Sequence, residues 1–121
     1  MLRPDDLRKS PEEKIQSDLI GFLTLRGWTI MVTHGNLYPR GFPDLYVLHE
    51  EHGSRWIEVK NPKQFSFTAA QKQYFPIMSL AGVGIWVLTI ATEDEYAKLF
   101  RPANCFAYMA GVIPRSINHL T

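Results

Sequence analysis

Apolar residues recur at helical spacing over residues 11–26, where Ile15, Leu19, Phe22 and Leu23 form one stripe. The start is signalled by Ser10-Pro11-Glu12-Glu13: Ser10 as N-cap, Pro11 at the first helical position, Glu13 placed to complete a capping box. Gly27 is placed to end the run. Residues 28–33 alternate and are rich in β formers, which predicts a strand. Residues 34–42 are dense in turn formers and predict a loop. Strands follow at 43–49 and 55–60, joined by a polar turn over 50–54, and Asn61-Pro62 breaks the second of them. Thr68 and Gln71 open a helix running towards Leu80, which Pro76 is expected to kink or shorten. After Gly82, residues 83–90 are so apolar that they predict a central strand covered on both faces. Thr92 caps a last amphipathic helix to about residue 100. The segment 101–121 is weakly patterned, with a short helix expected near 103–109. The order is α-β-β-β-α-β-α, a mixed sheet flanked by helices in one α/β (α+β) domain. Its core spans about 10–100, with 101–121 as an extension.

Composition narrows the field. A chain of 121 residues, 45% of them hydrophobic, suits one domain with a real core. One cysteine, Cys105, excludes an internal disulfide and a cysteine metal cluster, and suits a reducing, cytoplasmic setting. The polar N-terminus lacks a signal-peptide core, and no apolar run approaches the roughly 20 residues that span a bilayer, so no membrane is expected. The net charge of +1 does not itself call for a polyanionic partner. Arg40, Lys60, Lys63 and Lys72 do fall close together in sequence, as a DNA-facing cluster or as plain solvated charge.

The chemistry lies in the hairpin of the second and third strands. Side chains alternate along a strand, so Glu58 and Lys60 share one face while Ile57 and Val59 take the other. With the turn centred near Glu51 and His52, antiparallel pairing sets Asp44 opposite residues 58–60. Opposed residues lie roughly 4.5–5.5 Å apart at their Cα atoms. Two carboxylates and an ammonium then converge at one end of the hairpin. Carboxylates that close repel unless a cation lies between them. An all-oxygen donor set, without organised His or Cys, favours Mg²⁺ or Mn²⁺ over Zn²⁺. Such a site suits phosphodiester hydrolysis.

Pro43-Asp44 followed by Glu58-Val59-Lys60 resembles the PD-(D/E)xK nuclease motif. The wider pattern is similar to the VRR-NUC group: Glu12 and Gln16 in a leading helix, Gly41-Phe42-Pro43-Asp44, Glu58-Val59-Lys60, then a helix with Gln71. The resemblance covers roughly residues 10–90. It implies a restriction-endonuclease-like αβββαβ core and a DNA nuclease. Asp44, Glu58 and the backbone carbonyl of Val59 would hold Mg²⁺ or Mn²⁺, and Lys60 would act on the attacking water. A helix-one glutamate would support the site through metal-bound water. Glu12 is the choice there, because it shares the sheet-facing side with Ile15, Gln16, Leu19 and Leu23, whereas Glu13 caps. Gln16 and Gln71-x-x-Tyr74 would contact substrate, although Gln71 is equally placed to close a capping box. Arg40 and Lys63 flank the site as phosphate contacts or as ordinary surface charge.

The resemblance further implies structured DNA, such as four-way (Holliday) junctions, and a homodimer whose two sites match a junction's two-fold symmetry. Candidate pairing residues are Leu37, Tyr38, Phe106, Tyr108, Met109, Val112 and Ile113, which serve equally to cover the monomer's core. Rival readings are a restriction-like or flap- and end-directed duplex nuclease, and a non-catalytic nucleic-acid-binding module. His34 is a solvated loop residue or a DNA contact. Cys105 reads as a small buried hydrophobe.

Overall fold

The computed structural model describes residues 9–33 and 38–109, so the expectations for His34, Leu37, Val112 and Ile113 fall outside it. Helix α1 spans Pro11–Thr24, and strands β1, β2 and β3 span Thr29–Val32, Leu45–His49 and Gly53–Val59. Helix α2 (Ala69–Leu80) leads to β4 (Ile85–Leu88) and α3 (Glu93–Ala97); a 3-10 turn at Lys98–Phe100 and α4 (Cys105–Tyr108) complete it. Each boundary has a local cause. Ser10 caps α1 with Pro11 in its first turn, and Gly27, at φ +90°, turns the chain towards β1. The Ser10 hydroxyl accepts from the Glu13 N–H, one arm of the expected capping box; at α2 both arms, between Thr68 and Gln71, are present.

The four strands lie in the order β1-β2-β3-β4. The first two pairings are antiparallel, and β3 pairs β4 in parallel, with α2 as the crossover such a pairing requires. The β2–β3 register sets Leu45 opposite Ile57 and His49 opposite Gly53. One face buries Leu45, Val47, Ile57, Val59 and Leu88 against Leu19 and Leu23 of α1 and Leu99 of the 3-10 turn. A second cluster lies under α2 and α4, where Phe67, Phe75, Ile85, Cys105 and Met109 meet. Among the described residues no helix is long and apolar enough to cross a membrane.

Two expectations are corrected. The apolar strand near residue 85 is not central but stands at the end of the sheet. It tolerates that position because Asn104 imitates a neighbouring strand: its Oδ1 accepts from the Val87 N–H at 2.6 Å, and its Nδ2 donates to the Val87 carbonyl at 3.1 Å. Pro76 does not shorten α2, which continues four residues beyond it to Leu80. Its ring is buried beside Phe75, so packing offsets the one backbone bond it forfeits. Met109 is buried, and Phe106 and Tyr108 pack against the second cluster. They cover the monomer's core, one of the two roles the sequence left open.

Candidate active site

The hairpin register leaves Asp44 and Glu58 as the next facing pair beyond Leu45 and Ile57, and the two are tied together through the backbone. The Asp44 N–H donates to Glu58 Oε1 at 3.2 Å, and the Val59 N–H donates to Asp44 Oδ2 at 2.8 Å. Lys60 N–H continues the parallel ladder by donating to the Leu88 carbonyl at 3.1 Å. Its side chain therefore shares a face with Glu58. Lys60 Nζ lies 2.9 Å from Glu58 Oε2 and donates to Gln71 Oε1 at 3.1 Å. Gln71 Nε2 donates to the same Glu58 oxygen at 2.7 Å. Glu58 is 1% exposed and Lys60 3%. The Phe67 ring lies beneath the ammonium, 4.7 Å from its centroid.

Electrostatics follow from that burial. Loss of water pushes the Glu58 carboxyl up from 4.5 to about 8; Asp44 beside it adds to the rise, and Lys60 and Gln71 oppose it. Burial likewise pushes the Cys105 thiol up to about 12, far from a reactive thiolate, as its expected role as a buried hydrophobe requires.

On the other side of the sheet's end, towards α1, a cleft of about 520 Å³ opens over Asp44 and Val59. Glu12, Glu13 and Gln16 line it from the helix. Glu12 is half-buried, and its Oε1 accepts from the Asn61 N–H at a long 3.4 Å; Glu13 is exposed. The expected division between them is visible in the burial. A broader recess of about 620 Å³ lies beside the β2–β3 turn, at the opposite end of the sheet. Its acids, Glu50 and Glu51, are exposed turn residues, and no lysine–carboxylate pair meets there.

No family model, curated protein or solved structure matches this chain.

Among the described residues, no three His, Cys, Asp or Glu side chains gather closely enough to hold a metal by themselves. A cation at this site would rest on Asp44, Glu58 and the Val59 carbonyl, with water completing its shell, as Mg²⁺ prefers. The donor chemistry fits a hard divalent ion. The donors are carboxyl and carbonyl oxygens, and Asp44 opposes the ionisation of Glu58. Glu58 Oε1 accepts one long bond and retains acceptor capacity.

The remaining predicted residues divide. Gln71 is only 8% exposed and spends its amide on Glu58, Lys60 and the Thr68 N–H, so it belongs to the core of the site rather than the substrate surface. Of its two suggested roles the cap is the one present, and the same amide also holds the acid and the lysine. Lys60 leaves the surface cluster with Arg40, Lys63 and Lys72, because it is buried on Glu58. Arg40 and Lys63 are exposed, and Tyr74 stands at the edge of a separate cleft with Arg40 and Phe42. Sequence reasoning passed over Thr33. It is buried, its N–H donates to the Asp44 carbonyl at 3.0 Å, and its hydroxyl donates to the carbonyls of Pro43 and Asp44. It thereby fixes the backbone of the Pro-Asp step. No sequence signal separates this threonine from an ordinary strand end.

Proposed function

We propose that the chain is a divalent-metal-dependent nuclease of the PD-(D/E)xK type that hydrolyses DNA phosphodiester bonds. The observation that carries this reading is the reciprocal locking of Asp44 and Glu58 at one end of a hairpin, with the Lys60 ammonium on Glu58. Burying a carboxyl and an ammonium together is costly to desolvate, and apolar residues of similar volume would pack there as stably. Catalysis accounts for its presence better than stability does. Mg²⁺ or Mn²⁺, held by Asp44, Glu58 and the Val59 carbonyl, would activate water and draw in a phosphate oxygen. Lys60, aimed by Glu58 and Gln71, orients the attacking water and offsets the charge that grows on the phosphate. Glu12, on the α1 wall of the cleft, supports the site from the opposite side.

Branched DNA as substrate, with a homodimer presenting two matched sites, extends this reading and rests on the resemblance alone. The test is to incubate the pure protein with labelled duplex, flap and four-way-junction DNA, in Mn²⁺, in Mg²⁺ and in chelator. Cleavage should need the metal. Lys60→Ala should lose roughly 10²–10³-fold in rate, the usual effect of removing one stabilising donor, while keeping its DNA affinity. A Lys60→Ala protein that cuts at the wild-type rate overturns the assignment.

A further inference from the structure

The cleft that opens over Asp44 and Val59 is walled by the start of α1, and much of its lining is acidic: Glu12 and Glu13 of the helix join Asp44 of the sheet. A metal at Asp44 and Glu58 would offset the charge on the sheet side alone. A phosphodiester entering along α1 is itself an anion, and it would still meet the two helix carboxylates. Among the described residues that line the cleft, Lys9 is the single cation.

Lys9 directly precedes the cap residue Ser10 and is half-buried. Its ammonium donates to the Ser17 hydroxyl at 2.9 Å, and both residues line the cleft. Ser17 lies seven residues beyond Ser10, about 10 Å along the helix axis. The lysine side chain therefore runs back along the cleft wall instead of leaving from the helix end. Helix stability does not ask for a cation there. The N-terminus is the positive end of the macrodipole, where acids stabilise and a lysine opposes, and Glu12 and Glu13 already supply the acids. Lysine and serine side chains are, by contrast, common donors to the phosphate oxygens of DNA.

The cations that the sequence placed near the site do not line this cleft. Lys60 is buried on Glu58, and Arg40 borders the separate recess beside Tyr74. Lys63 and Lys72 also lie outside the lining. We infer that Lys9 holds a backbone phosphate of the cut strand at the α1 wall of the metal cleft. The inference rests on the nuclease reading and names how that site takes its substrate, by charge on the backbone and without reading a base.

The experiment measures binding in Ca²⁺, without turnover, to a DNA that the wild type cuts in Mn²⁺. The DNA is used in its natural form and with single phosphates around the cut replaced, one at a time, by neutral methylphosphonate. At one position the replacement should weaken wild-type binding about 10-fold, the scale of one charged hydrogen bond. Lys9→Gln should bind natural DNA that much more weakly and should not respond to the replacement at that position. Its slope of log affinity against log salt should be shallower by about 0.9 on duplex DNA. Lys9→Arg should restore both properties. Lys14→Gln removes a charge from the same helix, but Lys14 pairs with Asp18 and lies outside the cleft lining, so this variant should keep the wild-type response. A Lys9→Gln protein that responds like wild type to every neutral linkage, with Mn²⁺-dependent cleavage intact, overturns the phosphate contact and leaves the nuclease reading standing. Equal loss of response in Lys14→Gln also overturns the contact, because the charge of α1 as a whole would then account for the effect. A wild-type protein that cuts no DNA overturns both.

Discussion

Glu58 is the residue on which the chemistry and the stability of this chain meet. Its proton is held more tightly in the fold than in the unfolded chain, because burial, and then Asp44, oppose its ionisation. The sign follows. The contribution to stability is fully present below about pH 4.5 and is lost as pH rises through about 8. The denaturant midpoint of metal-free protein should therefore fall across that window, and Glu58→Gln should flatten the slope. Mn²⁺ must displace the same proton, so its affinity in calorimetry should rise over the same range, with proton release near neutral pH. A Glu58→Gln protein that keeps the wild-type slope would assign the titration to another group. Of the residues around it, Asp44, Glu58 and Lys60 were legible in the sequence because strand alternation and hairpin register are local rules. Gln71 was legible as a cap or as a substrate contact. That its amide also bridges Glu58 and Lys60 depends on how α2 lies on the sheet.

At the scale of elements, α1 supplies one wall of the site, and its first turn separates two neighbouring acids. Glu12 is half-buried over the cleft, with its carboxylate near the Asn61 N–H, while Glu13 is exposed and lends only its backbone to the cap. Glu12→Gln should impair cleavage strongly, whereas Glu13→Gln should leave both rate and stability near wild type. Ser10→Ala, which removes the cap itself, should cost about 0.5–2 kcal/mol in chemical denaturation. Strong loss of cleavage in Glu13→Gln with none in Glu12→Gln would reverse the choice. A second element-level device is the side-chain mimicry of a strand at β4. Asn104→Ala leaves the Val87 N–H and carbonyl without that partner and should cost about 1–3 kcal/mol, with Asn104→Asp intermediate because only the acceptor remains. An unchanged midpoint for Asn104→Ala would show that water replaces the amide freely. Helical periodicity and caps located α1 and α2 to within two residues at each end. The position of β4 was misjudged because an apolar run reports burial, and an edge covered by Asn104 and α4 is buried as thoroughly as a central strand.

For the whole molecule, the parallel return through α2 matters most. It brings α2 over the face that carries Glu58 and Lys60, while α1 covers the face that carries Ile57 and Val59. The site therefore lies at the sheet's end between two helices, buried towards one and open towards the other. A single such site nicks one strand, and paired nicks across a two-fold symmetric junction need a second copy. Light scattering should give about twice the 13.9 kDa chain mass, and junction cleavage should give symmetric products. Because Met109 is buried in the monomer's core, its substitution should destabilise the chain rather than only dissociate a pair. A monomer at micromolar concentration that still resolves junctions would remove the dimer from the proposal.

The sequence by itself determined the αβββαβ order, the hairpin that opposes Asp44 to Glu58, the shared face of Glu58 and Lys60, and the burial of Cys105. The first three follow from periodicity, capping or register, which operate over a few residues or across one short turn, and the last from the apolar character of a lone thiol. Only the tertiary structure decided that Gln71 joins the acid and the lysine, and that Thr33 anchors the Pro43–Asp44 backbone. It also decided that Asn104 completes β4 and that Phe42 and Tyr74 line one recess. These are meetings of side chains distant in sequence, set by how helices lie across a twisted sheet. Residue spacing along one chain does not encode that angle.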